Sequence, residues 1–196
     1  MRSSFCSETG CADGVNPYGG LIQAANGELY GTTNQGGTNC NPNGCGTIFQ
    51  ITPGGTLTTL YRSCAVSGCA DGQNPQAGLI QATDRNLYGT TNGGGIGEGT
   101  VFQITLGGKL KTLHDFCSQS GCTDGFLPRT ALVQDTNGGL YGTTADGGNS
   151  GAGTIFSLSV GLSPFVKTHP ASGMVGAVVD ILGTDLKGAT GLSSNP

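Results

Sequence analysis

Apolar and polar residues alternate in short bursts along this chain, and the bursts recur. Thr47, Phe49 and Ile51 fall on one face of an extended segment, as do Thr100, Phe102 and Ile104, and again Thr154, Phe156 and Leu158. A period of two over so few residues marks a half-buried strand. No segment carries a 3.6-residue apolar stripe, so the fold class is all-β. Clusters of Gly, Asn and Pro separate the bursts, as between hairpin strands.

Aligned on itself, the chain gives three copies of one unit. Copy one reads GLIQAANGELYGTTNQGG, an insertion, then GTIFQITPGGTLTTLYRSC; copy two reads GLIQATDRNLYGTTNGGGIGEGTVFQITLGGKLKTLHDFC. Copy three reads ALVQDTNGGLYGTTADGGNSGAGTIFSLSV and then departs. The units lie near residues 15–69, 73–122 and 126–160. Each predicts a strand at GLIQA, a second at LYGTT, a third at GTIFQIT and a fourth at LTTLYRS or LKTLHDF. The first two strands meet at NG in copies one and three, a two-residue hairpin signal. Repeated four-stranded units predict the blades of a β-propeller. Closed propellers use about 4–8 blades, so three predict a partial, open arc. Longer flanking sequence, a partner such as a second copy, or open stacking would have to complete it. Ser3 to Cys6 aligns with His114 to Cys117, the end of a fourth strand, so the chain opens on the tail of a preceding blade.

The pattern GLIQA, LYGTT, GG and GTVFQIT resembles the GloVer-type tandem repeat of secreted bacterial proteins with varied C-terminal surface anchors. The resemblance covers about residues 3–160 within a repeat region spanning 1–160. Residues 161–196 form a second unit: Pro170 to Gly176 and Ile181 to Thr190 resemble the start of an IPT/TIG domain, an immunoglobulin-like β-sandwich. A complete sandwich takes about 100 residues, so this tail is incomplete. The resemblance implies a secreted or cell-surface setting and carries no enzymatic activity and no functional residues with it.

Composition adds exclusions. With 38 glycines in 196 residues, 10% charged residues and a net charge of −4, the chain lacks the basic patch expected of a nucleic-acid binder. No apolar run is long enough to span a membrane. Residues 1–10 lack the apolar core of about 7–15 residues of a signal peptide, so a secretory signal would lie upstream or be absent. No cofactor motif is present.

The eight cysteines form four C-x4-C pairs: Cys6 and Cys11, Cys40 and Cys45, Cys64 and Cys69, Cys117 and Cys122. Paired across units they offer a four-thiolate zinc site. Paired locally they are four disulfides, the reading favoured by an even count in a low-charge, secreted type of chain. In an up-and-down blade all eight fall at one end, with the second-to-third-strand loops, and the tight turns fall at the other. Binding residues favour loops on rigid scaffolds, which points to the cysteine end.

Asp13, Asp71 and Asp124 recur before glycine in that region. They read as a ring of carboxylates for calcium or a sugar, or as Asx turns entering the first strand. Tyr30, Tyr88 and Tyr141 read as sugar-stacking rings, or as strand residues packed between blades with the hydroxyl bonded at the rim. The pairs Gly36–Gly37, Gly94–Gly95 and Gly147–Gly148 precede no Lys-Ser/Thr and no helix, so they are turn glycines rather than phosphate loops. No G-x-S-x-G motif occurs. The expected function is a non-enzymatic extracellular or cell-surface domain that binds a glycan or protein through the cysteine-bearing loops. The alternatives are a structural spacer displaying other domains and a propeller glycoside hydrolase or lyase.

Overall fold

A computed structural model describes residues 3–40, 42–169 and 180–183. The first unit folds as β1 (Ile22–Gln23), β2 (Leu29–Thr33), β3 (Thr47–Ile51) and β4 (Leu57–Arg62), an antiparallel sheet in chain order. The second repeats it as β5 (Ile80–Gln81), β6 (Leu87–Thr91), β7 (Thr100–Ile104) and β8 (Leu110–Asp115). The third has β9 (Val133–Gln134), β10 (Leu140–Thr143) and β11 (Ile155–Leu158), without a fourth strand among the described residues. The all-β reading with about three repeated sheets holds, and the three-stranded last sheet matches the point where copy three departs from the pattern. The PGG and LGG turns that return the chain in the first two units are replaced by VGLSP, and the chain leaves along Val160 and Leu162, which pack against the core.

β12 (Val166–His169) and β13 (Asp180–Gly183) pair as an antiparallel hairpin. The rest of the expected IPT/TIG-like unit lies outside the described residues. No α-helix occurs among the described residues; single 3-10 turns sit at Thr9–Cys11, Ser67–Cys69 and Ser120–Cys122.

The sheets pack face to face in sequence. Between the first and second, Tyr30 and Ile48 meet Leu79, Leu87, Phe102 and Ile104. Between the second and third, Tyr88, Val101 and Phe116 meet Leu132 and Leu140. The alternation along the third strand therefore buries both faces: Phe102 looks back to the preceding blade and Val101 forward to the next, each 0% exposed. Burying such a side chain contributes about 1.5–3 kcal/mol. Hydrogen bonds add register: Thr32 Oγ1 donates to Ala77 O at 2.9 Å, and Asn74 N to Cys45 O at 2.7 Å.

The turns differ from the two-residue hairpin that NG predicts. Ala24 N donates to Glu28 O, and Gly27 N donates to Ala24 O, so three residues form the β1–β2 turn. Its last residue is left-handed: Gly27 at φ 84°, Arg85 at 65° and Gly138 at 88° in the three units. A type I turn closed by a left-handed residue suits such loops, and glycine is the residue that takes it without strain.

Candidate functional site

Each cysteine pair closes a disulfide within its own loop: Cys6–Cys11, Cys40–Cys45, Cys64–Cys69 and Cys117–Cys122. Seven of the eight cysteines, all but Cys45, sit at φ between 51° and 61°. That conformation is unusual for a residue with a Cβ, so other contacts must hold it.

In three of the four loops the recurring aspartates supply them. Asp13 Oδ2 accepts from Ser7 N at 3.0 Å and from Ser7 Oγ at 2.7 Å, and its Oδ1 accepts from Glu8 N. Asp71 accepts from Ala65 N at 2.8 Å, Val66 N at 3.0 Å and the Tyr61 hydroxyl at 2.7 Å. Asp124 accepts from Ser118 N, Ser118 Oγ and Gln119 N, with His114 Nε2 at 3.6 Å. Each carboxylate thus reaches backward across its disulfide loop, rather than forward as in an Asx turn. Burial works to raise the Asp13 and Asp124 carboxyls. The hydrogen bonds from the loop outweigh it and leave both below the ordinary carboxylate value. In Tyr61 the signs agree: burial and the bonded Asp71 both push the phenol up.

The glycine pairs tie this layer to the strands. Gly37 N donates to Cys11 O, Gly95 N to Cys69 O and Gly148 N to Cys122 O. A Cβ on Gly36 would lie 2.7 Å from Cys11 O, so only glycine admits the loop this close. Beneath it, the Thr33 and Thr47 hydroxyls are 2.8 Å apart, as are Thr91 with Thr100 and Thr144 with Thr154. Disulfide loop, glycine loop and threonine pair form one rigid cap on each blade.

The tyrosines stand at the other end of the sheets. Tyr30 OH accepts from Asn26 Nδ2 in the β1–β2 turn, and Tyr88 OH donates to Asp84 at 2.8 Å. Burial and Asp84 push the Tyr88 phenol up to about 12. Both rings are 1% exposed, whereas Tyr141, in the last blade, is 37% exposed. The structure therefore separates the two sets of candidate residues: aspartates at the cysteine end, tyrosines at the tight-turn end.

What the cysteine end presents outward is apolar in part. Val66 rides on the Cys64–Cys69 loop and is 51% exposed. Ile96 lies 78% exposed between two glycines: Gly95 is bonded to Cys69 O, and Gly97 is so close to Phe116 O that it has no room for a Cβ. Tyr18, on the connection into β1, is 66% exposed. Sequence reasoning passed over these three; the signal was a lone isoleucine inside NGGGIGEG. Glu8 and Asp13 share a groove with Arg62, whose Nη2 lies 3.8 Å from Glu8 Oε2.

One further cluster concerns metals. The sulfurs of Cys40, Cys45, Cys64 and Cys69 lie within 4.8 Å of one another. The insertion in copy one thus brings its disulfide against that of the next loop. Oxidised sulfurs offer no thiolate, so this pairing leaves no zinc ligand set in the disulfide form.

No curated protein matches this chain. Among solved structures, one described as a putative gluconolactonase aligns with 18% identity and a TM-score of 0.41, over 74% of this chain and 44% of that one. The chain therefore spans less than half of that structure. The sequence model of the Gloeobacter/Verrucomicrobia repeat covers residues 2–190, taking in all three blades and the hairpin beyond them. With so much of its length accounted for by that one pattern, this chain belongs to the Gloeobacter/Verrucomicrobia repeat family.

Proposed function

We propose that this chain is a non-enzymatic, extracellular or cell-surface repeat domain that binds a glycan or protein through its disulfide-braced loops. The observation that carries the reading is the exposure of Val66 and Ile96 on loops pinned by a disulfide or by backbone hydrogen bonds. Large apolar side chains held rigidly in water contribute to binding because little ordering is left to do on association. Four disulfides fit an oxidising compartment, and among the described residues no helix is long and apolar enough to cross a membrane. Secretion, and a tail that continues into an IPT/TIG-like sandwich, complete the proposal.

The enzyme alternative has weaker support. The three recurring carboxylates are occupied by loop N–H groups, and Glu8 is paired with Arg62. The test is a glycan array and a panel of extracellular proteins probed with the oxidised chain. Val66→Asp and Ile96→Asp should each weaken the interaction about tenfold or more, and Lys111→Ala on the exposed edge of β8 should not. No ligand in either panel, with all four disulfides intact by mass spectrometry, would leave the spacer reading in its place.

A further inference from the structure

One disulfide stands outside the repeat. Cys6–Cys11, Cys64–Cys69 and Cys117–Cys122 close the loops that lead into each unit, whereas Cys40–Cys45 closes the insertion found in copy one alone. That insertion is bonded on several sides to the flanks of the Cys64–Cys69 loop. Asn39 Nδ2 donates to Arg62 O at 3.2 Å and to Ser63 O at 2.9 Å. Ser63 N donates to Gly46 O at 3.0 Å, and Asn74 N to Cys45 O at 2.7 Å. These bonds set two disulfides side by side, so that the sulfurs of Cys40, Cys45, Cys64 and Cys69 all lie within 4.8 Å of one another. Among the described residues, Cys6–Cys11 and Cys117–Cys122 belong to no such group.

The two neighbours are held unequally. Asp71 accepts from Ala65 N and Val66 N across the Cys64–Cys69 loop. The insertion loop, CNPNGC, contains no acidic residue to do the same. Cys40 is partly exposed, and Cys45 is 3% exposed. A small thiol arriving from solvent therefore meets Cys40 Sγ first, and the sulfur it releases, on Cys45, already lies beside the second disulfide.

We propose that these two disulfides form an exchange site whose co-reactant is a small thiol, and that exchange rewires them from loop-local to cross-blade pairing. The small thiolate attacks Cys40 Sγ; the Cys40–Cys45 bond breaks, and its electron pair leaves on Cys45 as a thiolate. Cys45 Sγ then attacks Cys64 or Cys69 and bonds to it, and the other sulfur of that pair leaves as a thiolate. That thiolate attacks the mixed disulfide on Cys40, bonds to Cys40 and expels the small thiolate. As many S–S bonds form as break, nothing is oxidised or reduced overall, and the thiol is returned. Proximity favours the middle step, because the second disulfide is held at an effective concentration that no separate molecule matches. At Cys6–Cys11 and Cys117–Cys122 the released thiolate meets no second disulfide and recloses its own loop. Crossed pairing ties the insertion of the first unit to the loop entering the second. It also closes longer chain loops, which restrict the unfolded chain more than local ones do.

Peptide mapping reads the connectivity. Trypsin cuts after Arg62 and Arg85, so residues 3–62 carry Cys6, Cys11, Cys40 and Cys45, and residues 63–85 carry Cys64 and Cys69. Local disulfides leave these two peptides separate. The oxidised full chain is held under native conditions with a trace of 2-mercaptoethanol, blocked with N-ethylmaleimide and digested without reduction. Peptide 3–62 joined to 63–85 should appear, about tenfold or more above any link to residues 112–129, which carry Cys117 and Cys122. Cys40→Ser frees the Cys45 thiol directly and should give the joined pair with no added thiol; circular dichroism checks that this variant is folded. Peptides that stay separate after thiol treatment, or links to 112–129 in equal amount, would overturn the proposal. So would a folded Cys40→Ser chain that keeps Cys45 as a free thiol.

Discussion

The Tyr61 hydroxyl at the end of the first blade donates to the Asp71 carboxylate at 2.7 Å, and in the next unit His114 takes the same place 3.6 Å from Asp124. The last strand of a blade thus locks the disulfide loop that leads to the following one. Asp71→Ala removes the acceptor for Ala65 N, Val66 N and Tyr61 OH together. Unsatisfied groups of this kind cost about 1–3 kcal/mol each where they are buried, and the partly exposed loop lets water recover some of it. We expect a loss of about 2–4 kcal/mol in urea unfolding. Tyr61→Phe leaves both N–H bonds in place and should lose about 1 kcal/mol.

Asp13 and Asp124 make stability depend on pH in the acid range. Asp13 and Asp124 titrate below the ordinary value in the folded chain, and an unfolded Asp titrates near about 3.9. Between those values the unfolded state binds more protons, so stability rises with pH. The contribution is complete above about pH 4 and is lost as pH falls through the folded values. Urea midpoints measured from neutral pH downward should drop over that acid range. Asp13→Asn with Asp124→Asn should flatten the drop, and an unchanged slope would refute this assignment.

Much of this architecture was legible in residue order. LYGTT predicted β2 and β6 to the residue, Leu29–Thr33 and Leu87–Thr91, because alternation and flanking glycines are local signals. C-x4-C gave the disulfides for the same reason. The role of Asp71 was not legible. Its partners lie five, six and ten residues back, across a loop whose cysteines adopt left-handed backbone, and no short motif announces that geometry. Nor could sequence separate Tyr141 from Tyr30. The two sit in the same motif and differ only in whether a further blade covers them.

The glycine inside LYGTT has a steric reason that the motif alone conceals. A Cβ on Gly89 would lie 2.7 Å from Phe102 Cζ and 2.8 Å from Leu79 Cδ2, both in the buried seam. Gly89→Ala should therefore destabilise by about 1–3 kcal/mol through overpacking. Pairing it with Phe102→Leu removes the ring that clashes. A double-mutant cycle should show coupling of about 0.5–3 kcal/mol in the rescuing direction; additivity would show that the ring is not the obstacle.

Reduction tests the four-sulfur cluster. Each disulfide closes a loop with a sequence separation of 5 residues, and a loop of that size contributes about 2 kcal/mol. Oxidised protein should take up no cobalt. After reduction, Cys40, Cys45, Cys64 and Cys69 form the one group of ligating side chains close enough together among the described residues. One equivalent of Co2+ should then give thiolate absorption, lost in Cys40→Ser and kept in Cys117→Ser. Equal loss in both variants would place the metal elsewhere.

Leu127 marks a position where the third copy departs from the rule of the other two. Asn16, Asn74 and Leu127 each precede the recurring proline of their unit and sit at φ 59°, 56° and 55°. Asparagine tolerates that backbone far better than leucine does. Asn74 also sends its Nδ2 to Asn34 O of the preceding blade at 2.9 Å, a bond leucine cannot make. Leu127 is only half-buried, so little apolar burial is lost on replacing it. Leu127→Asn should gain about 0.5–1.5 kcal/mol from relieved backbone strain and a new bond to Asn92 O. Arg85→Gly, at φ 65° in the β5–β6 turn, should gain about 1 kcal/mol for the backbone reason alone. Thermal melting of Leu127→Asn beside Leu127→Gly separates the contributions. If Leu127→Asn gained no more than Leu127→Gly, which relieves the same backbone without an amide, the inter-blade bond would add nothing to the preference for asparagine before that proline.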